Sequence, residues 1–286
     1  VLKVLGRRVA YLWLYPVALY FMIAARRQVR TVQRFLDRAA GPAHSRLASW
    51  RRSLAHVLCF SQSLVDRGLS VVRGAKSFTW DSEGTDYVVA HRGAKRGVIL
   101  LSAHLGNYEL AGACYGHYDL PINVVMLDGE AQTIKRVYRW FAPRGVQGPR
   151  VIATNRGEFP SLQVLAALRA GEAVALHGDR IVDERWVWCD FLGAKAAFPT
   201  GVFLLAAAAK VPIVLTFGFK EGPSHYRFIA EAPRTILLPR EGRTEALAAH
   251  AEWYASRLAH YARLYPLQWF NFYDFWASPS ILPTKS

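Results

Sequence analysis

Cysteine and methionine are scarce in this chain, three and two residues among 286. Cys59, Cys114 and Cys189 stand far apart, are odd in number and lack the paired spacing of metal ligands. That argues against a disulfide framework and gives no basis for a zinc site; free thiols in a reducing compartment are the simpler reading. Acidic residues are also few, 21 against 36 Lys and Arg, for a net charge of +15. A surplus of that size calls for an acidic counterpart: nucleic acid, anionic lipid, or an acidic carrier or substrate. Other signatures are missing. There is no G-x-S-x-G elbow of a serine hydrolase, and no phosphate loop or dinucleotide-binding glycine motif. No helix-turn-helix, zinc-ligand or RNA-recognition pattern supports a nucleic-acid partner. Without a fixed-period repeat or a low-complexity tract, solenoid and disordered architectures have no support either.

What is abundant is apolar and aromatic. Hydrophobic residues make up 52% of the chain and the mean hydropathy is +0.08. That is high for a freely soluble protein and too low for one that crosses a membrane many times. Nine Trp and thirteen Tyr suit a membrane interface, though equally a stacking surface for bases. The apolar residues concentrate first in Val9–Ala25, an uncharged run with Lys3, Arg7 and Arg8 before it and Arg26, Arg27, Arg30 and Arg34 after it. A spanning helix needs about 20 apolar residues, with a lower limit near 17, so this run sits at the limit. It can span a bilayer, lie in its interface, act as an uncleaved signal, or form a buried helix of a soluble core. The basic cluster behind it predicts that the following domain stays on the cytoplasmic side. Arg26–Arg38 reads as a basic helical extension suited to anionic headgroups, ended by Gly41-Pro42. These features divide the chain into a membrane anchor with its basic extension, 1–41, and a catalytic domain, 42–286.

A helix is predicted from Ser45 to Arg67. Beyond residue 87, short β-branched runs alternate with amphipathic stretches. Strands are expected at Tyr87–His91, Gly97–Ser102, Ile122–Met126, Arg150–Ala153, Ala173–His177, Trp186–Phe191, Ile213–Phe219 and Tyr226–Ala230. Helices are expected at Asn107–His117, Gln132–Phe141, Pro160–Ala170, Gly201–Ala209 and Thr244–Leu264. Such alternation predicts an α/β fold: a mixed, partly parallel sheet flanked by helices.

The chemistry concentrates where the buried run Val98–Ser102 gives way to Ala103-His104-Leu105-Gly106-Asn107-Tyr108-Glu109. His104 falls just past the carboxyl end of a strand, where open α/β sheets bind their ligands. Glu109 falls in the first turn of the next helix, Gly106 permits a tight turn, and Asn107 is an N-cap candidate. A hydroxyl becomes a useful nucleophile when a base takes its proton, and a neutral imidazole does this at neutral pH. A carboxylate on the other ring nitrogen fixes the tautomer and stabilises the imidazolium. A lone His near a Glu is more often ordinary polarity; the strand-to-helix placement is what favours function here.

The run H-L-G-N-Y-E, His104 to Glu109, closely resembles the H-x-G-N-W/Y-E block of the bacterial lipid A late acyltransferase family, within the lysophospholipid acyltransferase superfamily. Ala173–Arg180 (AVALHGDR) looks like that family's Asp-containing strand end. Residues 193–217 are similar to its G…P-x-G…P-strand block, and Gln268-Trp269-Phe270 to its aromatic tail. The basic–apolar–basic N-terminus is similar to its single membrane anchor. The resemblance implies transfer of a fatty acyl chain from a thioester to a hydroxyl of a membrane lipid or glycolipid, with lipid A-type late acylation in front. His104 would be the general base and Glu109 its orienting partner. The donor would be acidic acyl carrier protein or acyl-CoA, a co-substrate, with no resident cofactor or metal. The implied location is the cytoplasmic face of the bacterial inner membrane. Oxyanion donors could come from the backbone near Gly106 and Asn107, or from Arg139, Arg144, Arg150 or Arg180. Asp179-Arg180 could hold an acceptor headgroup or form a structural ion pair. Thr200 and Gly201 open a helix whose N-terminus could take an anion or simply start the helix. A basic, membrane-associated scaffold or nucleic-acid binder without catalysis is the alternative.

Overall fold

The protein is described here as a computed structural model covering residues 6–93, 96–107, 109–110, 122–129, 131–132, 136, 150–154 and 160–277. Three helices come first: α1 (Gly6–Ala24), α2 (Arg26–Ala40) and α3 (Arg46–Arg73). α2 is sharply two-faced. Val29, Val32, Phe35, Leu36 and Ala39 recur at helical spacing and are buried, while Arg27, Arg30, Arg34 and Arg38 point to solvent. Ser45 caps α3, its Oγ accepting the Ala48 N–H at 3.1 Å. α1 packs Ala18 and Met22 against Val57 of α3 and leaves Leu12, Trp13, Tyr20 and Ile23 exposed. No single described helix is long and apolar enough to cross a bilayer. α1 and α2 would suffice together, but they bend by 97° at the break between them.

The remaining elements are β1 (Thr79–Glu83), α4 (Thr85–Gly93), β2 (Val98–Ser102), β3 (Ile122–Leu127), β4 (Arg150–Thr154), α5 (Ser161–Arg169), β5 (Ala173–His177), β6 (Trp186–Phe191), β7 (Ala194–Pro199), α6 (Gly201–Ala209), β8 (Ile213–Lys220), β9 (His225–Ala230) and α7 (Arg243–Leu264). Seven strands form one sheet in the order β1-β9-β8-β2-β5-β3-β4, and β6 and β7 form a separate hairpin. Every neighbouring pair in the large sheet is parallel except β8 with β9. The expected mixed, partly parallel sheet flanked by helices is therefore present, and most of its pairs are parallel.

Strand alternation sorts the core into two layers. On one face Ile99, Leu101, Val174, Leu176, Ile213, Leu215, Phe217 and Phe219 meet α2, α5, α6 and α7. On the other, Val98, Leu100, Ala173, Val214, Tyr226 and Phe228 meet Leu69 of α3, Phe78 and Val88 of α4. With both faces covered, β2 is buried at all of its positions, as a central parallel strand must be.

Two expectations change. Tyr87–His91, expected as a strand from its paired valines, lies in α4. Asp86 stands in the first turn of that helix, and Val88 alone of the run is buried; a helix buries one residue per turn, a half-buried strand every second one. β1 and β7 are strands the pattern did not announce. β1 is largely exposed and so shows no alternation, and β7 is alanine-rich rather than β-branched. Most of Asn107–His117 and Gln132–Phe141 lies outside the described residues.

A buried carboxylate fastens α1 to this body. Asp66 of α3 has no exposed surface. It accepts from Lys220 Nζ of β8 at 2.6 Å, from the Tyr226 hydroxyl of β9 at 2.5 Å and from the Tyr11 hydroxyl of α1 at 2.7 Å. Arg7 Nε stands 3.4 Å away. A buried charge is tolerated when it is paired and hydrogen-bonded in this way.

Candidate active site

His104 lies two residues beyond the end of β2, and Asp179 two residues beyond the end of β5. The strands are parallel neighbours with Ser102 opposite His177, so equal steps forward place His104 beside Asp179. His104 Nδ1 is 2.8 Å from Asp179 Oδ1, and the His104 backbone N–H donates to Oδ2 at 2.9 Å. Trp269 Nε1 donates to the same Oδ2 at 3.1 Å, and the Tyr273 hydroxyl donates to the Asp179 backbone carbonyl at 3.2 Å. A carboxylate only accepts, so Nδ1 carries the ring proton and Nε2 is left with its lone pair.

Asp179 is 3% exposed, whereas the His104 side chain keeps 17% of its surface. Burial works to raise the Asp179 pKa, but the charge and hydrogen bond of His104 outweigh it, with His177 and Arg180 adding to them. The carboxyl is held well below the usual carboxylate range and stays ionised. The His177 ring lies 4.3 Å from that of His104, centroid to centroid. Burial and then the neighbouring His104 hold His177 far below the ordinary histidine value, so it stays neutral.

Close packing fixes the loops that carry the pair. A Cβ at Gly178 would stand 2.9 Å from the Tyr254 ring, whose hydroxyl donates to the Ser102 carbonyl at 2.8 Å. Gly106 has φ +75°, and a Cβ there would stand 2.1 Å from the Gly218 carbonyl oxygen. Only glycine meets both demands. The Gly106 N–H donates to the Gln268 carbonyl at 2.8 Å and the Asn107 N–H to the Gly218 carbonyl at 2.6 Å. The His104 backbone carbonyl in turn accepts the Phe270 N–H at 2.7 Å. Trp269 is fully buried, with edge-on contacts to Phe35, Phe191 and Phe275 at 4.8, 5.2 and 4.9 Å. Each such contact contributes about 1 kcal/mol.

Several expectations need correction. The carboxylate on the His104 ring is Asp179, not Glu109. Glu109 Oε1 instead accepts from Arg67 Nη1 at 3.1 Å, because its helix start faces α3. Asn107 Oδ1 takes Arg67 Nε at 3.3 Å and the Leu110 N–H at 3.4 Å, the latter an N-cap contact. The Gly106 and Asn107 backbone donors are already spent on protein carbonyls and are not available to an oxyanion. Asp179, expected to hold a headgroup or to form a structural ion pair, is bonded to His104. Arg150 begins β4, in register with Asn123 near the start of β3. It pairs with Glu172 at 2.8 Å, at the opposite end of the strands from His104. Thr200 and Gly201 open α6, and the Thr200 N–H is bonded to the Arg185 carbonyl at 2.9 Å. Arg139 and Arg144 lie outside the described residues. Arg180 follows Asp179 directly, is partly exposed and has no hydrogen-bonded partner among the described residues. Trp269, Tyr273, Tyr254 and His177 are contributors that motif reading missed.

The fold and site together place a strand-end imidazole, held by a buried carboxylate, at the carboxyl edge of a mostly parallel α/β sheet. The family model for bacterial lipid A biosynthesis acyltransferases matches residues 47–278. With most of its length matched, the chain belongs to that family and is an acyltransferase. No curated protein matches the sequence. The matched region begins inside α3 and takes in every strand among the described residues, with His104 and Asp179; α1 and α2 precede it.

Proposed function

We propose that the protein transfers a fatty acyl chain from acyl carrier protein or acyl-CoA to a hydroxyl of a lipid A-type acceptor, with His104 as general base. The observation that supports this most is the 2.8 Å contact of His104 Nδ1 with Asp179 Oδ1: a carboxylate accepts, so Nε2 is the ring nitrogen that keeps a lone pair on a partly exposed ring. Nε2 takes the proton of the acceptor hydroxyl as the oxygen attacks the thioester carbonyl. The new C–O bond forms, the C–S bond breaks, and the imidazolium returns the proton to the departing thiolate. Asp179 fixes the ring and stabilises the imidazolium without itself becoming protonated. Arg180 is the candidate to meet the oxyanion, with a guanidinium not committed elsewhere among the described residues. Glu109 acts one step out: with Arg67 and Asn107 it braces the turn that carries His104.

The net charge of +15 suits an acidic carrier protein and an anionic bilayer. The apolar outer face of α1 and the arginines of α2 support attachment to the cytoplasmic face of the inner membrane. The reaction needs no resident cofactor, since the thioester brings the activated acyl group. The test is release of free thiol from acyl carrier protein or acyl-CoA by purified enzyme in detergent, across a panel of lipid hydroxyl acceptors. His104→Ala abolishes acceptor-dependent release while the protein stays folded, and Glu109→Gln costs about tenfold to a hundredfold. Near wild-type turnover in His104→Ala would end this assignment.

A further inference from the structure

A concave site of about 420 Å³ lies between α2 and the segment that follows Trp269. Arg27, Arg30 and Arg34 line one wall, and Phe272, Tyr273 and Asp274 the other. The arginines recur at three and four residues, so they share one face of the helix. Arg34 Nη1 is bonded to Asp274 Oδ2 at 2.8 Å. Arg27 and Arg30 are exposed and have no acidic partner among the described residues. The site thus sets three guanidinium groups against one carboxylate. Guanidinium groups bind phosphate oxygens in pairs, and a phosphomonoester carries between one and two negative charges at neutral pH.

What stands beside the site narrows the ligand further. Phe21, in the last full turn of α1, packs edge-on against Phe272 at 5.8 Å. On either side of it in α1, Tyr20 and Ile23 are 73% and 68% exposed. Phe272 also lines the pocket, so the exposed apolar side chains of α1 stand beside the wall that faces the arginines. A phosphate carried on acyl chains matches both halves, and a soluble phosphate only one. We propose that this pocket binds the phosphate of an anionic lipid, its acyl chains lying along the exposed face of α1. The pocket shares Tyr273 with the surroundings of Asp179, and lipid binding is read without turnover.

The test is flotation of the full chain with vesicles of four kinds: phosphatidylcholine alone, with phosphatidic acid, with oleate at matched surface charge, and with phosphatidic acid in millimolar inorganic phosphate at constant ionic strength. Arg27→Glu/Arg30→Glu is compared with Arg240→Glu/Arg243→Glu, which removes the same charge from exposed positions elsewhere. The wild type should prefer phosphatidic acid to oleate, and inorganic phosphate should not displace it. The first variant should lose about thirtyfold in partitioning, the control less than about threefold. Equal losses in the two variants, or equal binding to oleate, would overturn the site in favour of diffuse attraction. Full displacement by inorganic phosphate would overturn the lipid as its source. Thermal melts of both variants establish that each is folded.

Discussion

Replacing Asp179 with Asn is the sharpest perturbation that the site allows. The amide nearly matches the carboxylate in shape and can still accept from His104 Nδ1, but it brings no charge to the imidazolium that forms as the acceptor loses its proton. Two opposite unit charges about 4 Å apart attract by about 4 kcal/mol at an effective dielectric near 20. Losing that attraction in the transition state lowers kcat about a thousandfold. The substrate meets the enzyme before any charge develops, so KM should move little. The substitution also weakens the fold. The Asp179 carboxyl is depressed in the folded chain, so its contribution to stability is fully present above about pH 4 and is lost as pH falls through its lower folded value. The assay is steady-state thiol release with saturating acceptor, run beside Glu109→Gln and the double variant His104→Ala/Asp179→Asn. The double variant should be no slower than His104→Ala, since a pair that acts as a unit is lost once. If Asp179→Asn keeps a tenth or more of wild-type kcat while Glu109→Gln falls a thousandfold, the two carboxylates have been given each other's roles.

Three further outcomes follow from the packing. Gly106→Ala should lower unfolding stability in urea by about 3 kcal/mol or leave no soluble protein, because it combines positive φ with an overlap on the Gly218 carbonyl. His56 is buried with Nε2 on the Trp269 carbonyl at 2.9 Å, and burial lowers its pKa to about 4. The unfolded chain therefore takes up this proton first. Stability should fall between about pH 6.5 and pH 4 by about 3 kcal/mol, and His56→Phe should flatten that part of a pH-dependent melt. Lys220→Met leaves the buried Asp66 charge with Arg7 as its cation and should cost about 3 kcal/mol in chemical denaturation, with Lys220→Met/Asp66→Asn recovering part of the loss.

The elements legible from sequence are those whose residues speak locally. Residues 98–101 are apolar throughout because both faces of their strand are covered, and Gly201–Ala209 and Ala173–His177 have clear flanks. His104 was legible for the same reason, as a polar residue directly after a buried strand. Its partner was not. The natural choice was Glu109, five residues on, because proximity in sequence was the only proximity visible. Asp179 is 75 residues away and meets His104 only because β5 lies beside β2, a matter of strand order that no local pattern encodes. A signal did exist: two buried runs, Val98–Ser102 and Ala173–His177, each followed at the same offset by a polar residue, His in one and Asp in the other. The Trp269 indole and the Tyr273 hydroxyl were hidden more deeply, in an aromatic tail whose composition announces a core but not which atom turns toward the carboxylate.

The contacts of Asp66 bear on how this enzyme meets its surroundings. Its partners come from the first helix and from two adjacent strands, so that helix is no leash with a globule swinging at its end. On the proposed attachment, a lipid layer that received Trp13 and Tyr20 would inherit the tilt of the sheet behind them. The catalytic ring would then ride at one set height over that layer, and substrates whose reactive group projects to another level would miss it however well they fit.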